Sequence, residues 1–164
     1  MDLRKLDKAR LIAEFRNLVE VDLQAALKSQ RSAAEGATHE EAKAESDKDT
    51  RATEASYLAR GQAARVDELS QMLASWSALK PRPFDDEDPV ATGALVAVSD
   101  ESEVAVYFVG VGGAALSVAT EVGPVRTVTK SSPIGRALLG KCVGDEIEVS
   151  VPGGTRDLTI VAIA

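Results

Sequence analysis

Carboxylates are concentrated between residues 38 and 62, in the stretch THEEAKAESDKDTRATEASYLARGQ. Basic residues are interspersed among them, and large apolar side chains are few. Asp47, Asp49 and Glu54 lie close together in this stretch. The composition is compatible with a flexible linker, a solvated helical hairpin or a segment whose function needs carboxylates.

Other residues with metal-binding or nucleophilic chemistry are isolated. Glu41 and Glu45 are four residues apart, a spacing that is more often found on a solvated helix surface than in a metal site. His39 and Cys142 are the single histidine and the single cysteine, so neither has a partner for a zinc site or a disulfide. We expect no cofactor of the chain's own, and a reducing, cytoplasmic environment.

Net charge and hydropathy restrict the partners. The 164 residues carry 19 Lys and Arg against 26 Asp and Glu, a formal charge of −7. Tight direct binding to nucleic acid needs an excess of basic residues, so we expect contact with RNA or DNA only through a partner. No apolar run is long enough to span a membrane, and the first residues lack the apolar core of a signal peptide. We therefore expect no membrane contact.

Two long helical segments flank the acidic stretch. The first runs from Asp2 to about Glu35 without Gly or Pro, and Gly36 offers a stop. Its predicted apolar line is Leu11, Phe15, Leu18, Ala25 and Ser29, with Ile12, Val19, Leu23 and Ala26 beside it. The second segment runs from about Thr50 to Leu79, and its heptad line is Ala55, Ala59, Gln62, Val66, Leu69, Leu73 and Trp76.

These two segments predict an antiparallel coiled-coil hairpin over residues 1–80, with its tip at about 36–50. An acidic linker with several prolines follows at 81–89. Residues 90–164 contain six predicted strands, at 93–99, 103–110, 115–122, 125–129, 146–151 and 157–163. One short helix interrupts them, with Ser132 as N-cap, Pro133 at the first helical position and Gly140 after the end. The fold class is α+β, with a small antiparallel sheet.

The stretch from 128 to 163, VTKSSPIGRALLGKCVGDEIEVSVPGGTRDLTIVAI, resembles the carboxy-terminal domain of the bacterial Gre transcript-cleavage factors. The shared pattern is S-P-I-G, A-L-L-G-K, G-D, an alternating strand and P-G-G. The resemblance implies an FKBP-like globular domain joined to an amino-terminal coiled coil, in agreement with the hairpin and strands derived above.

The resemblance also implies a function. Gre-type factors dock on RNA polymerase through the globular domain and insert the coiled coil into the secondary channel. Acidic tip residues then help to hold a catalytic Mg²⁺ of the polymerase while it cleaves backtracked RNA. The implied tip residues are Asp47, Asp49 and Glu54, of which Asp49 and Glu54 would share the metal. The implied polymerase-binding residues are Ser131, Ser132, Pro133 and Ile134. The factor would then be no enzyme by itself.

The tip leaves alternatives open. Family tips read D-L-x-E-N-A-E-Y, and alignment on Tyr57 places the first two acidic positions at Thr50 and Thr53. Asp49 and Glu54 are each one residue away. On one continuous helix these two positions lie about 140° apart, so they share a metal only if Asp49 precedes the helix. A secondary-channel regulator that does not cleave RNA is the second hypothesis. A prolyl isomerase or chaperone, suggested by the FKBP-like fold alone, is the third.

Overall fold

The structure is a computed structural model and describes residues 2–41, 48–100, 103–113 and 115–164. After a 3₁₀ turn at Leu3–Lys5 come two long helices, α1 (Lys8–Glu41) and α2 (Lys48–Ala78). The remaining elements are β1 (Leu95–Ser99), β2 (Val104–Val109), β3 (Ser117–Thr120), β4 (Gly123–Val128), α3 (Pro133–Leu138), β5 (Glu146–Val151) and β6 (Gly154–Ile163). The α+β class, with a helical hairpin followed by a sheet, is confirmed.

The chain divides into two compact units. The sheet unit contains Met1–Arg16 and Ser75–Ala164, and the hairpin unit contains Asn17–Ala74. The sheet unit thus includes the first turns of α1, the last turn of α2 and the stretch 81–89. Within that stretch Phe84 is buried in the core of the sheet unit. The acidic linker is therefore anchored by an apolar side chain that packs like a core residue.

The sheet has six strands in the order β3-β4-β2-β1-β6-β5. Neighbouring strands are antiparallel except β2 and β4, which are parallel, with Val106 opposite Val125. The expectation of an antiparallel sheet is wrong for this pair. β3 and β4 form a hairpin whose outer strand is β3, so β4 returns beside β2 in the same direction as β2.

The two faces of the sheet are both covered by apolar side chains. Side chains alternate along a strand, so the neighbours Tyr107 and Phe108 point to opposite faces. Tyr107 belongs to the core that also includes Leu138 of α3. Phe108 packs against Phe15 of α1 and Trp76 of α2, with ring centroids 5.7 and 5.8 Å away, and the latter two rings lie 5.2 Å apart. Three aromatic rings therefore form the centre of the second face.

Trp76 fits this face because Gly110 has no side chain. A Cβ at Gly110 would lie 2.9 Å from two carbon atoms of the Trp76 ring. The indole is 1% exposed, and its Nε1 is the one buried side-chain nitrogen or oxygen without a hydrogen-bond partner among the described residues. The contribution of Trp76 to packing therefore comes from the volume of its ring, because its N–H group forms no hydrogen bond there.

The first helix differs from the sequence prediction in its start, its end and its apolar line. It begins at Lys8, after the 3₁₀ turn at Leu3–Lys5, and not at Asp2. α1 continues through Gly36 to Glu41, so the predicted stop at Gly36 is wrong; a glycine inside a helix costs only about 1 kcal/mol, and a long helix tolerates it. The apolar line of α1 is also shifted. Leu18, Ala25 and Ser29 are exposed, whereas the flanking set is buried, with Val19, Leu23 and Ala26 in the hairpin unit.

The predicted seam of α2 is confirmed where its side chains are described. Leu69 and Trp76 are buried, and Ala59, Gln62, Val66 and Leu73 are half-buried. The side chain of Ala55 lies outside the described ones. None of the described helices is both long and apolar enough to cross a membrane.

Candidate functional site

The segment before α3 is held by its own hydroxyl groups. Ser132 is the N-cap of α3, as predicted: its Oγ accepts from the backbone N–H of Gly135 at 3.0 Å and donates to the carbonyl oxygen of Thr129 at 2.8 Å. The hydroxyls of Thr129 and Ser131 are 2.9 Å apart. Pro133 occupies the first helical position, where no N–H is needed. The segment is thereby fixed in one conformation.

Gly135 allows this helix to approach the preceding turn. A Cβ at this position would lie 1.9 Å from the carbonyl oxygen of Thr129 and 2.9 Å from the Oγ of Ser132. Any side chain would therefore displace the backbone or break the cap. The glycine of the S-P-I-G pattern thus has a packing role within the sheet unit.

The same segment borders an open, mostly apolar cleft of about 320 Å³, which we call the α3 cleft. Ser132, Pro133 and Ile134 form one wall, and residues 127–129 with Val149 and Pro152 contribute to the others. Ile134 is half-buried, while Ser131 and Pro133 are exposed. The four predicted polymerase-binding residues are therefore consecutive on the surface of the sheet unit, and three of them line the cleft.

The structure describes the three predicted tip residues to different extents. Asp47 lies outside the described residues. Asp49 is the second residue of α2 by backbone position, so it does not precede that helix. Glu54 is exposed on α2, and Tyr57 and Leu58 near it are 68% and 56% exposed. Because positions 49 and 54 of one helix lie about 140° apart, the backbone alone does not bring the two carboxylates to one face.

Metal-ligand chemistry is sparse in the described part of the chain. No group of three or more His, Cys, Asp and Glu side chains there could hold a metal ion. A metal bound with help from Glu54 would thus need most of its ligands from elsewhere. This is compatible with Mg²⁺, which commonly keeps several waters and binds only one or two protein carboxylates.

Comparison with known proteins links this geometry to a family. Residues 85–164 match the model of the carboxy-terminal domain of the transcription elongation factors GreA and GreB. The transcription elongation factor GreA of Sphingopyxis alaskensis is 31% identical over 163 residues, which cover 98% of each chain. The chain belongs to the GreA/GreB family. The elongation factor GreA of Clostridium acetobutylicum is 35% identical over 103 residues, and this match spans 60% of each protein.

GreA factor homolog 1 of Thermus thermophilus aligns over 98% of this chain and 96% of its own, with 23% identity and a TM-score of 0.39. A score this low leaves the assignment to the Gre family to rest on the sequence relatives. The resemblance predicted from the S-P-I-G and A-L-L-G-K patterns is confirmed by those relatives.

The range that matches the family model covers one of the two predicted sites. It includes α3 and the whole α3 cleft but excludes Asp47, Asp49 and Glu54. The two predicted sites of this Gre-family chain therefore differ in how they are supported. The α3 cleft has a defined geometry, whereas the roles of the tip residues stay predictions.

Sequence reasoning missed a second cleft in the sheet unit. Lys8, at the first position of α1, lies in it with Arg82 and Phe84. Burial, and secondly the charge of Arg82, lower the pKa of Lys8 to about 8. The sequence KPRPF indicates a turn at 80–84, but nothing in it indicates that Phe84 is buried and brings Lys8 and Arg82 together.

Proposed function

We propose that the chain is a transcription elongation factor that binds RNA polymerase, inserts its helical hairpin into the secondary channel and stimulates cleavage of backtracked RNA. The observation that carries this proposal is the likeness to an elongation factor GreA along 98% of both chains. The long helices α1 and α2 and the separate sheet unit support it, because the activity needs a docking domain and an extended probe.

Docking is assigned to the α3 cleft with Ser131, Ser132, Pro133 and Ile134. A mostly apolar groove beside a rigid, exposed segment can bind a partner without a large loss of conformational entropy. The hydrogen bonds of Ser132 and the close approach at Gly135 supply that rigidity. The partner proposed for this surface is RNA polymerase, and RNA and DNA would be approached only within its elongation complex.

The tip role is assigned to Asp47, Asp49 and Glu54. When bound at the polymerase active centre, Mg²⁺ stabilises the attacking and leaving oxygens of phosphoryl transfer. Glu54 would present an exposed carboxylate to that ion, and Asp49 would be the second candidate ligand. The chain would remain a factor rather than an enzyme, since the polymerase supplies the remaining ligands and the reaction.

The test is RNA cleavage by an arrested elongation complex. Wild-type protein should release short 3′-terminal RNA, and Glu54→Gln and Asp49→Asn should each reduce the rate at least tenfold. Glu68→Gln is the matched control, because Glu68 is an exposed carboxylate on the same helix. Wild-type protein that binds the complex but releases no short RNA would refute the cleavage role and leave the docking role intact.

Docking is tested separately by Pro133→Glu, which adds a charge at the α3 cleft but keeps a residue that suits the first turn of a helix. We expect at least tenfold weaker binding to polymerase. Ser117→Glu, at an exposed position of β3, should bind like wild type. Equal binding by the two variants would assign docking to another surface.

A non-cleaving regulator of the same channel is the second candidate. It is favoured by the helical backbone at Asp49 and by threonine at positions 50 and 53, where the family pattern has carboxylates. This candidate predicts inhibition of promoter-dependent RNA synthesis by wild-type protein, with no RNA cleavage. The two assays together distinguish the two candidates.

A further inference from the structure

An open cleft of about 580 Å³ lies in the sheet unit, between residues 3–9 at the start of α1 and residues 81–85 after α2. We call it the Lys8 cleft. It is separate from the α3 cleft, with which it shares no lining residue, and it plays no part in the docking or cleavage roles proposed above. Its size suits a small molecule.

Two cations share one aromatic ring in this cleft. The Nζ of Lys8 lies 4.6 Å from the centroid of the Phe84 ring, and the guanidinium carbon of Arg82 lies 4.0 Å from the same centroid. Lys8 Nζ also donates to the backbone carbonyl oxygen of Arg82 at 2.7 Å. Because Phe84 is buried in the core, the ring is fixed, and the amine is held in place at the cleft wall.

Two of the three acidic groups at or near the cleft have other interactions. Asp7 accepts from the backbone N–H of Arg10 at 3.0 Å, and Asp86 pairs with Arg4 at 3.1 Å. Asp85 also lines the cleft. None of the ion pairs within the described ranges includes Lys8. The amine is thus partly desolvated, faces a second cation and lacks a paired carboxylate.

Partial burial and the neighbouring guanidinium of Arg82 favour the neutral form of the amine, which is the nucleophilic form. A lysine becomes nucleophilic near neutral pH when it is desolvated or lies beside another cation, and Lys8 meets both conditions. With a pKa of about 8, roughly a quarter of the Lys8 amines are neutral at pH 7.5. An amine of lower pKa is also a weaker nucleophile, so the gain in rate is smaller than the gain in neutral fraction.

We propose that Lys8 is an acylation site, that its acyl donor is a small acyl phosphate, and that Arg82 binds the phosphate group of that donor. The lone pair of Nζ attacks the acyl carbon, the bond from that carbon to the phosphate oxygen breaks, and inorganic phosphate leaves with the electron pair. The displaced amine proton goes to solvent. The product is a neutral amide, which removes the repulsion between Lys8 and Arg82.

The donor class follows from the cleft. A guanidinium binds phosphate through two parallel hydrogen bonds, and Arg82 forms no ion pair among the described residues. Phe84 and the prolines at 81 and 83 supply an apolar wall for a short acyl chain.

The experiment uses the full chain with acetyl phosphate as the probe, and mass spectrometry measures the acetylated fraction of each lysine over time. Lys5 and Lys141 are exposed lysines of the same unit and serve as internal controls. At pH 7.5 we expect Lys8 to react about tenfold faster than either control. The Lys8 rate should rise through pH 8 and level off by about pH 9, in line with its lowered pKa. A Lys8 rate equal to that of the controls would overturn the proposal.

A pair of arginine variants tests the phosphate contact. Arg82→Gln should slow acetylation of Lys8 several-fold, whereas Arg136→Gln, which changes an exposed residue of α3, should leave it unchanged. Inorganic phosphate should compete with acetyl phosphate and slow the acetylation of Lys8 in the wild-type protein. It should have no such effect on Arg82→Gln. Circular dichroism verifies that both variants fold. Acetylation of Lys8 that is insensitive to Arg82→Gln and to phosphate would overturn the role of Arg82.

Discussion

The two units of this chain use apolar side chains in different ways. The sheet unit buries large residues on both faces of the sheet, such as Leu138 on one face and Trp76 and Phe108 on the other. In the hairpin unit, the buried hydrophobic residues of the described part are smaller: Val19, Leu23, Ala26 and Leu69. Burial stabilises in proportion to the apolar area removed from water. The sheet unit should therefore be the more stable unit, and the hairpin unit should open locally first.

The largest expected effect comes from removing the central ring of the sheet unit. Trp76→Ala leaves a cavity beside Phe15 and Phe108 and should lower the free energy of unfolding of this unit by about 3–5 kcal/mol. Urea denaturation followed by circular dichroism measures the change. Trp76→Phe is the control: it keeps an aromatic ring and removes the unpaired N–H, so it should cost clearly less. Equal losses would assign a role to the indole N–H.

Gly135→Ala should be the next most costly change. Its Cβ would overlap the carbonyl oxygen of Thr129, so α3 must shift, and we expect a loss of about 3 kcal/mol, at the upper end for overpacking. Gly113 borders the same α3 cleft, but a Cβ there would meet open space. The free energy of unfolding of Gly113→Ala should therefore stay within about 0.5 kcal/mol of the wild-type value. Thermal unfolding of the two variants compares them directly, and similar melting temperatures would contradict the packing role of Gly135.

Leu23→Ala tests the hairpin unit. We expect a loss of about 2 kcal/mol, the lower end for a leucine truncation, because the side chain of Leu23 is still 9% exposed. Backbone amide hydrogen exchange should show faster exchange in residues 17–74 and unchanged exchange in the sheet. Leu18→Ala is the matched control, since Leu18 is exposed. Faster exchange throughout the chain would mean that the two units unfold together.

The smallest effect is a gain. Gly61 is exposed inside α2, and a Cβ there meets nothing within 4 Å, so Gly61→Ala should stabilise the hairpin by about 0.5–1 kcal/mol. The reverse change at an exposed alanine of the same helix, Ala64→Gly, should lose a similar amount. Amide exchange within α2 measures both. A destabilising Gly61→Ala would indicate that the glycine has a role beyond the helix itself.

Much of the sheet unit was predictable from local sequence. The turn after β5 lies where VPGGTR predicts it, with Gly153 at φ +107°, and Ser132 caps α3 as the S-P pattern predicts. Both depend on neighbouring residues only. The parallel pairing of β2 with β4 was not predictable in this way, because alternation shows that a segment is a strand but does not identify its neighbours.

The helices, too, were predictable from local sequence in part only. Composition and periodicity predict two long helices, and the seam of α2 is buried or half-buried as its heptads require. On α1, however, the periodic pattern offered two adjacent lines of apolar residues. The structure buries Val19, Leu23 and Ala26 and leaves Leu18 and Ala25 exposed. Small differences in side-chain packing decide between lines that the sequence makes nearly equivalent.

By itself, the sequence determined the α+β class, the helical hairpin, the capped short helix and the kinship to Gre factors, because these follow from local propensities and contiguous motifs. Tertiary structure alone decided that Phe84 enters the core, that Gly110 makes room for Trp76, and that Lys8 meets Arg82. Lys8 and Arg82 are 74 positions apart in the sequence, and the contact between them depends on how the whole sheet unit packs.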